Sequence, residues 1–114
     1  MRADSDQVQH VLDQLDTGVV RLADSGDIRF MNSAAEHCLL VSRDRAGGRR
    51  LTEVAPVPQE LVQAVDNLRE PGYSIRLHEL KLGSELYDCT VHRTRDGSVM
   101  LEFHNLQWEQ MRLR

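Results

Sequence analysis

Ala23-Asp24-Ser25-Gly26-Asp27-Ile28-Arg29-Phe30-Met31-Asn32-Ser33-Ala34-Ala35-Glu36 is the stretch on which the fold turns. Asp24-Ser25-Gly26-Asp27 carries turn-forming residues, and apolar strand-like runs flank it. Before it stands Val19-Val20-Arg21-Leu22-Ala23, rich in β-branched residues; after it stands Ile28-Arg29-Phe30-Met31. The spacing predicts a hairpin in which Ile28 and Phe30 share one face and Arg29 takes the other. A helix should follow at once. Ser33 with Glu36 three residues on fits a capping box, Asn32 is an alternative cap, and Ala35, Cys38 and Leu39 form a short apolar stripe.

Upstream, Val8, Val11, Leu12 and Leu15 fall at i, i+3, i+4 and i+7, the pattern of an amphipathic helix that Gly18 would end. Downstream, Ser42 to Arg50 carries four arginines and Gly47-Gly48, and reads as a solvated loop. Leu51 to Val57 is a short apolar piece. Leu61, Ala64, Val65 and Leu68 then repeat with helical spacing after Pro58, and Pro71-Gly72 should stop that helix. The last third reads as sheet. Ile75 and Leu77 share one parity, Leu80 and Leu82 the other, so a bulge is expected near His78-Glu79. Tyr87, Cys89 and Val91 alternate with Asp88, Thr90 and His92. Arg95-Asp96-Gly97-Ser98 is a hairpin turn, and Val99, Leu101 and Phe103 share a face beyond it. This order predicts an α+β domain: a five-stranded antiparallel sheet with short helices on one face and flanking N- and C-terminal helices. The expected divisions are a leading helix over 1–16, a core over 17–106, and the start of a linker helix over 107–114.

The 114 residues suit one domain, and 40% hydrophobic with 28% charged residues is ordinary for a globular chain. A net charge of −4 and five aromatic residues argue against a nucleic-acid surface. The longest unbroken apolar run, Cys38 to Val41, is far short of the roughly 20 residues a membrane span needs. The polar start resembles no secretory signal, and two isolated cysteines, Cys38 and Cys89, point to a reducing, cytoplasmic setting. No zinc, phosphate-cradle or nucleophile-elbow pattern is present. The five histidines, His10, His37, His78, His92 and His104, form no ligand spacing, although His92 and His104 could approach across paired strands.

The hairpin turn, the strand Ile28 to Asn32 and the following Ala34-Ala35 pair resemble a PAS domain, with Ser33 where proline is common. Leu12 to Val20, Asn32 to Glu36 and Arg95 to Phe103 resemble the N-terminal sensor domain of nitrogen-regulation histidine kinases of the NtrB family. The resemblance covers roughly residues 6 to 112. It implies a sensory and dimerisation module without chemistry of its own, since neither a phospho-accepting His box nor an ATP-binding domain is present. It implies a homodimer, a kinase core in the same chain, the response regulator NtrC and the signal protein PII. Flavin and haem sensors of this fold carry a Cys before the long helix, or a His on it. The corresponding region, Leu51 to Val57, has no Cys, Cys38 lies too early, and Gln59 to Glu70 holds no His, so no cofactor is expected. The dimer candidates are Val8, Val11, Leu12 and Leu15. The candidates for relaying the signal are Leu106, Trp108 and Met111. An interior pocket would be lined by Phe30, Leu39, Leu61, Leu68, Tyr87 and Leu101, with few polar residues on the inward faces to orient a ligand. Two other readings stay open: a small-molecule-binding PAS module of another signalling protein, and a small α+β enzyme with His92 or Asp88 as general base.

Overall fold

A computed structural model describes residues 16–106. Apart from Asp16, which is a bend, the expected helices over 1–16 and 107–114, and with them Val8, Val11, Leu12, Leu15, Trp108 and Met111, lie outside the described residues. The elements are β1 (Gly18–Leu22), β2 (Ile28–Met31), α1 (Ser33–Leu39), α2 (Arg43–Ala46), α3 (Leu51–Val54), α4 (Gln59–Asn67), β3 (Ser74–Leu82), β4 (Glu85–Arg93) and β5 (Val99–Asn105). The strands form one antiparallel sheet in the order β2-β1-β5-β4-β3. The first strand therefore sits beside the last, and the helices lie between β2 and β3 in the chain.

The turn after β1 closes as its residues dictate. Gly26 adopts φ 95°, its N–H donates to the Ala23 carbonyl at 2.8 Å, and Ala23 N–H donates to the Asp27 carbonyl at 2.8 Å. The face assignment in β2 differs from the simple alternation. Leu22 pairs with Ile28 and Arg21 with Phe30, so β2 spends two residues against one of β1. This bulge puts Ile28 and Met31 into the core, each 2% exposed, and leaves Phe30 half-buried opposite exposed Arg21. Phe30 is thus not an interior lining residue.

Asn32 is the cap of α1. Its Oδ1 accepts from Ala35 N–H at 2.9 Å and from Val19 N–H at 2.8 Å, and its Nδ2 donates to the Thr17 carbonyl at 2.8 Å. Ser33 and Glu36 instead hold Arg43: its Nη2 donates to Ser33 Oγ at 3.2 Å, and its backbone N–H to Glu36 Oε2 at 2.8 Å. The segment expected as a loop over 42–50 contains the single turn α2, capped by Ser42. Its end runs along β2, with Ile28 N–H donating to the Arg49 carbonyl and Gly48 N–H to the Ile28 carbonyl, both at 2.8 Å, so one sheet edge is partly covered. The apolar piece from Leu51 is the one-turn helix α3. The longest described helix, α4, ends at Asn67, before Pro71-Gly72, because Leu68 leaves helical geometry at ψ 93°.

The expected bulge in β3 is present: the pairing with β4 shifts between Leu77 and Leu80, and Glu79 takes φ 54°. The inward faces of β1, β3, β4 and β5 meet Ala35, Cys38 and Leu39 of α1, Leu51 of α3, and Leu61 and Ala64 of α4 in one core. The Tyr87 ring stands edge-on to Phe103, with centroids 6.4 Å apart. No helix among the described residues is long and apolar enough to cross a membrane.

Candidate functional site

The core itself is closed. Leu39, Leu61, Leu68, Tyr87 and Leu101 are all buried and belong to the same cluster, so these interior candidates serve as packing. Burying each such side chain contributes roughly 1.5–3 kcal/mol as an upper bound.

An open cleft lies at one end of the sheet. With a volume of about 620 Å³, it runs between α1 and the β3–β4 turn, lined by Ser33, Ala34, His37, Cys38 and Leu40 on one side and Leu82, Gly83, Ser84, Glu85 and Tyr87 on the other. Asp16 and Asn105 complete it. These two residues stand at the beginning and end of the core, because β1 and β5 are antiparallel neighbours with Gly18 opposite Phe103. The chain thus enters and leaves the domain at the rim of this cleft. Gly18 keeps α1 close to that entry: a Cβ there would meet Cys38 Sγ at 3.1 Å and the Ala35 Cα at 3.2 Å.

Polar groups occupy the inward register at this end. Glu85 opens β4 on the same parity as Tyr87, and Asn105 closes β5 on the parity of Phe103, paired opposite Tyr87. Glu85 Oε2 accepts from the Tyr87 hydroxyl and from Asn105 Nδ2, each at 2.9 Å. Burial and the bond to Glu85 push the Tyr87 phenol well above its usual range, so it remains a donor. Burial also raises Cys38, against a lowering hydrogen bond with Tyr87, and pushes Cys89 up to about 12. Neither thiol is an activated nucleophile.

At the opposite end of β4, Arg93 is 3% exposed. Its Nε donates to the Leu68 carbonyl at 2.8 Å, Nη2 to Val65 at 3.2 Å, and Nη1 to Gly97 at 2.8 Å and to Asp24 Oδ1 at 3.0 Å. One guanidinium ties the end of α4 to the β1–β2 and β4–β5 turns. The expectation that few polar residues face inward is therefore corrected for the sheet ends. Glu85, Asn105 and Arg93 are legible as polar residues on core parity, one step beyond the apolar runs.

The enzyme candidates sit elsewhere, on the outer sheet face. Asp88 is held by Arg76 at 3.7 Å, by His78 at 3.5 Å and by Glu79 N–H at 3.2 Å. His92 lies 3.5 Å from Glu102 and His104 lies 3.9 Å from the same carboxylate, but the register pairs His92 with Met100 and His104 with Asp88, so the two histidines flank Glu102 and are not cross-strand partners. Neither Asp88 nor His92 lines a cleft described here. Among the described residues no group of three or more His, Cys, Asp or Glu is placed to hold a metal ion. Leu106, the one relay candidate within the described residues, is half-buried directly after β5.

Sheet order, bulges and helix placement together define the PAS fold, and solved structures agree. The chain is similar to the PAS domain of the histidine kinase ThkA, with a TM-score of 0.66 and 20% identity over 77% of this chain and 97% of that one. It is similar to the PAS domain of the nitrogen regulation protein NR(II) from Vibrio parahaemolyticus, with a TM-score of 0.60 and 20% identity over 87% and 97%. It also matches a chain of the E. coli DhaR(N)–DhaL complex, with a TM-score of 0.64 and 20% identity over 90% of this chain, which spans only 36% of that one. No family model and no curated protein matches the chain.

Proposed function

We propose that this chain is the sensory and dimerisation PAS module of a two-component histidine kinase, of the nitrogen-regulation type. In that reading it relays a change of subunit arrangement to a kinase core that phosphorylates NtrC under the control of PII. The observation that carries the reading is the meeting of Asp16 and Asn105, at the beginning and end of the described core, at one cleft. A segment entering at Asp16 and one leaving at Asn105 share the same wall, so a displacement of α1 or the β3–β4 turn acts on both. The likeness to the PAS domains of ThkA and NR(II) supports the kinase setting.

The mechanism is a population shift between two arrangements of a homodimer, and a partner moves it only by its differential affinity for them. The leading helix supplies the dimer contact through Val8, Val11, Leu12 and Leu15, and Leu106, Trp108 and Met111 begin the relay. Sedimentation tests this directly. The 114-residue chain sediments as a dimer, and Val11→Asp with Leu12→Asp gives a monomer with an unchanged amide spectrum for residues 17–106. A double variant that remains a dimer removes the leading helix from the interface. A second reading, a small-molecule sensor in another signalling protein, is favoured by the volume and polar lining of the same cleft. Native mass spectrometry of the purified chain separates the two, since a retained ligand supports only the second.

A further inference from the structure

We propose that the cleft between α1 and the β3–β4 turn binds a small organic cation, an ammonium or guanidinium group carried on an apolar body. The inference concerns the cleft alone and stands whether or not the chain relays a signal. Four observations support it. The volume of about 620 Å³ falls within the range of small-molecule sites. The walls supply apolar surface from Ala34, Cys38 and Leu82, and Leu40 stands at the side, 79% exposed. Two carboxylates, those of Asp16 and Glu85, stand in this lining, and that of Glu85 is held in a fixed position. Both of its hydrogen bonds, from Tyr87 and Asn105, fall on Oε2, and Oε1 carries neither.

The fourth observation is charge balance. The ion pairs formed among the described residues involve Asp24, Glu36, Glu53, Asp88, Asp96 and Glu102, and Glu85 is in none of them. Tyr87 and Asn105 donate neutral hydrogen bonds, which orient the carboxylate without cancelling its charge. A cleft with apolar walls and an oriented carboxylate that none of these ion pairs engages selects a cation over its neutral isostere. The apolar walls discriminate further against a bare inorganic ion, which cannot cover them.

The test is an amide NMR titration of the whole chain with 2-phenylethylammonium, beside 2-phenylethanol and phenylacetate at equal ionic strength. The expected result is saturable shifts at Ala34, Cys38, Gly83, Ser84 and Glu85 for the amine, with at least tenfold weaker binding of the alcohol and none of phenylacetate. Glu85→Gln should weaken the amine at least tenfold while leaving the alcohol unchanged. Ser84→Lys keeps Glu85 and places a tethered ammonium at the mouth, so it should weaken the amine similarly; it serves in place of Glu85→Gln if that variant loses its native spectrum. Equal binding of amine and alcohol, shifts scattered away from the cleft, or undiminished affinity in a folded Glu85→Gln overturns the proposal. A change of oligomeric state in the leading-helix variant leaves these outcomes untouched.

Discussion

Arg93 carries a permanent charge at 3% exposure, and its surroundings show how that is sustained. Three carbonyls, of Leu68, Val65 and Gly97, share its donors with a single carboxylate, Asp24, whose side chain is 74% exposed. The charge is stabilised mostly by backbone dipoles within the domain, with the anion left in water. A planar five-donor fork can reach four acceptors at once, whereas an ammonium on a flexible stem cannot. Arg93→Lys should therefore keep the charge and lose the geometry, leaving the Leu68 and Val65 carbonyls short of a partner. We expect a loss of about 2–4 kcal/mol, read as a lower urea midpoint at unchanged slope. Arg93→Met, which removes the buried charge and retains the stem, should cost less than Arg93→Lys. The reverse order would mean that the ion pair with Asp24, rather than the carbonyl contacts, holds the hairpins to α4.

Helix α1 illustrates how neighbouring elements constrain one another. It is held at its start by Asn32, which also accepts from Val19 of β1, so cap and strand are fixed by one amide. At its end Leu40 is forced into left-handed geometry, φ 56°, to close the helix, while its side chain remains 79% exposed. A leucine costs about 1–2 kcal/mol in that region, and glycine does not. Leu40→Gly should raise the urea midpoint by the equivalent of about 1 kcal/mol, and an unchanged or lowered midpoint would mean that Leu40 packs against something in solution. The strands and the bulge at His78-Glu79 were legible because alternation is a local signal: a parity switch marks a bulge whatever lies around it. The bulge in β2 was not legible. Ile28, Arg29, Phe30 and Met31 alternate acceptably either way, and only the pairing with Leu22 and Arg21 selects Met31 over Phe30 for the core. The one-turn helices α2 and α3 were missed for a related reason, since a single turn has no period to detect. The cleft was hidden because Glu85 and Asn105 lie 20 residues apart and meet only through cross-strand register. Their sign in the sequence is a polar residue on a core parity, one step beyond the apolar run of each strand.

The domain as a whole places its titratable interior beneath the same cleft. Cys89 is fully buried two residues along β4 from Tyr87, and Tyr87 and Cys38 both line the cleft. All three are raised by burial, Cys89 from an ordinary 9.0 to about 12. The sign follows from proton linkage. Above pH 9 the unfolded chain releases the Cys89 proton, whereas the folded chain retains it. The unfolded state thus binds fewer protons, and its free energy falls relative to the folded state as pH rises. This contribution is fully present below pH 9 and is lost progressively between pH 9 and about 12. One retained proton is worth about 1.4 kcal/mol per pH unit in that window. Cys89→Ala removes the titration together with one buried sulfur. Its stability at pH 7 should fall by about 1–2 kcal/mol for the lost packing. Its alkaline limb, from urea midpoints between pH 8 and 10.5, should be shallower than that of the parent chain, because Cys38 and Tyr87 alone then drive the slope. The two effects separate cleanly, since packing shifts the curve vertically at every pH while the thiol bends it only above pH 9. Parallel alkaline limbs would show that Cys89 ionises alike in both states, which requires water to reach the centre of the sheet.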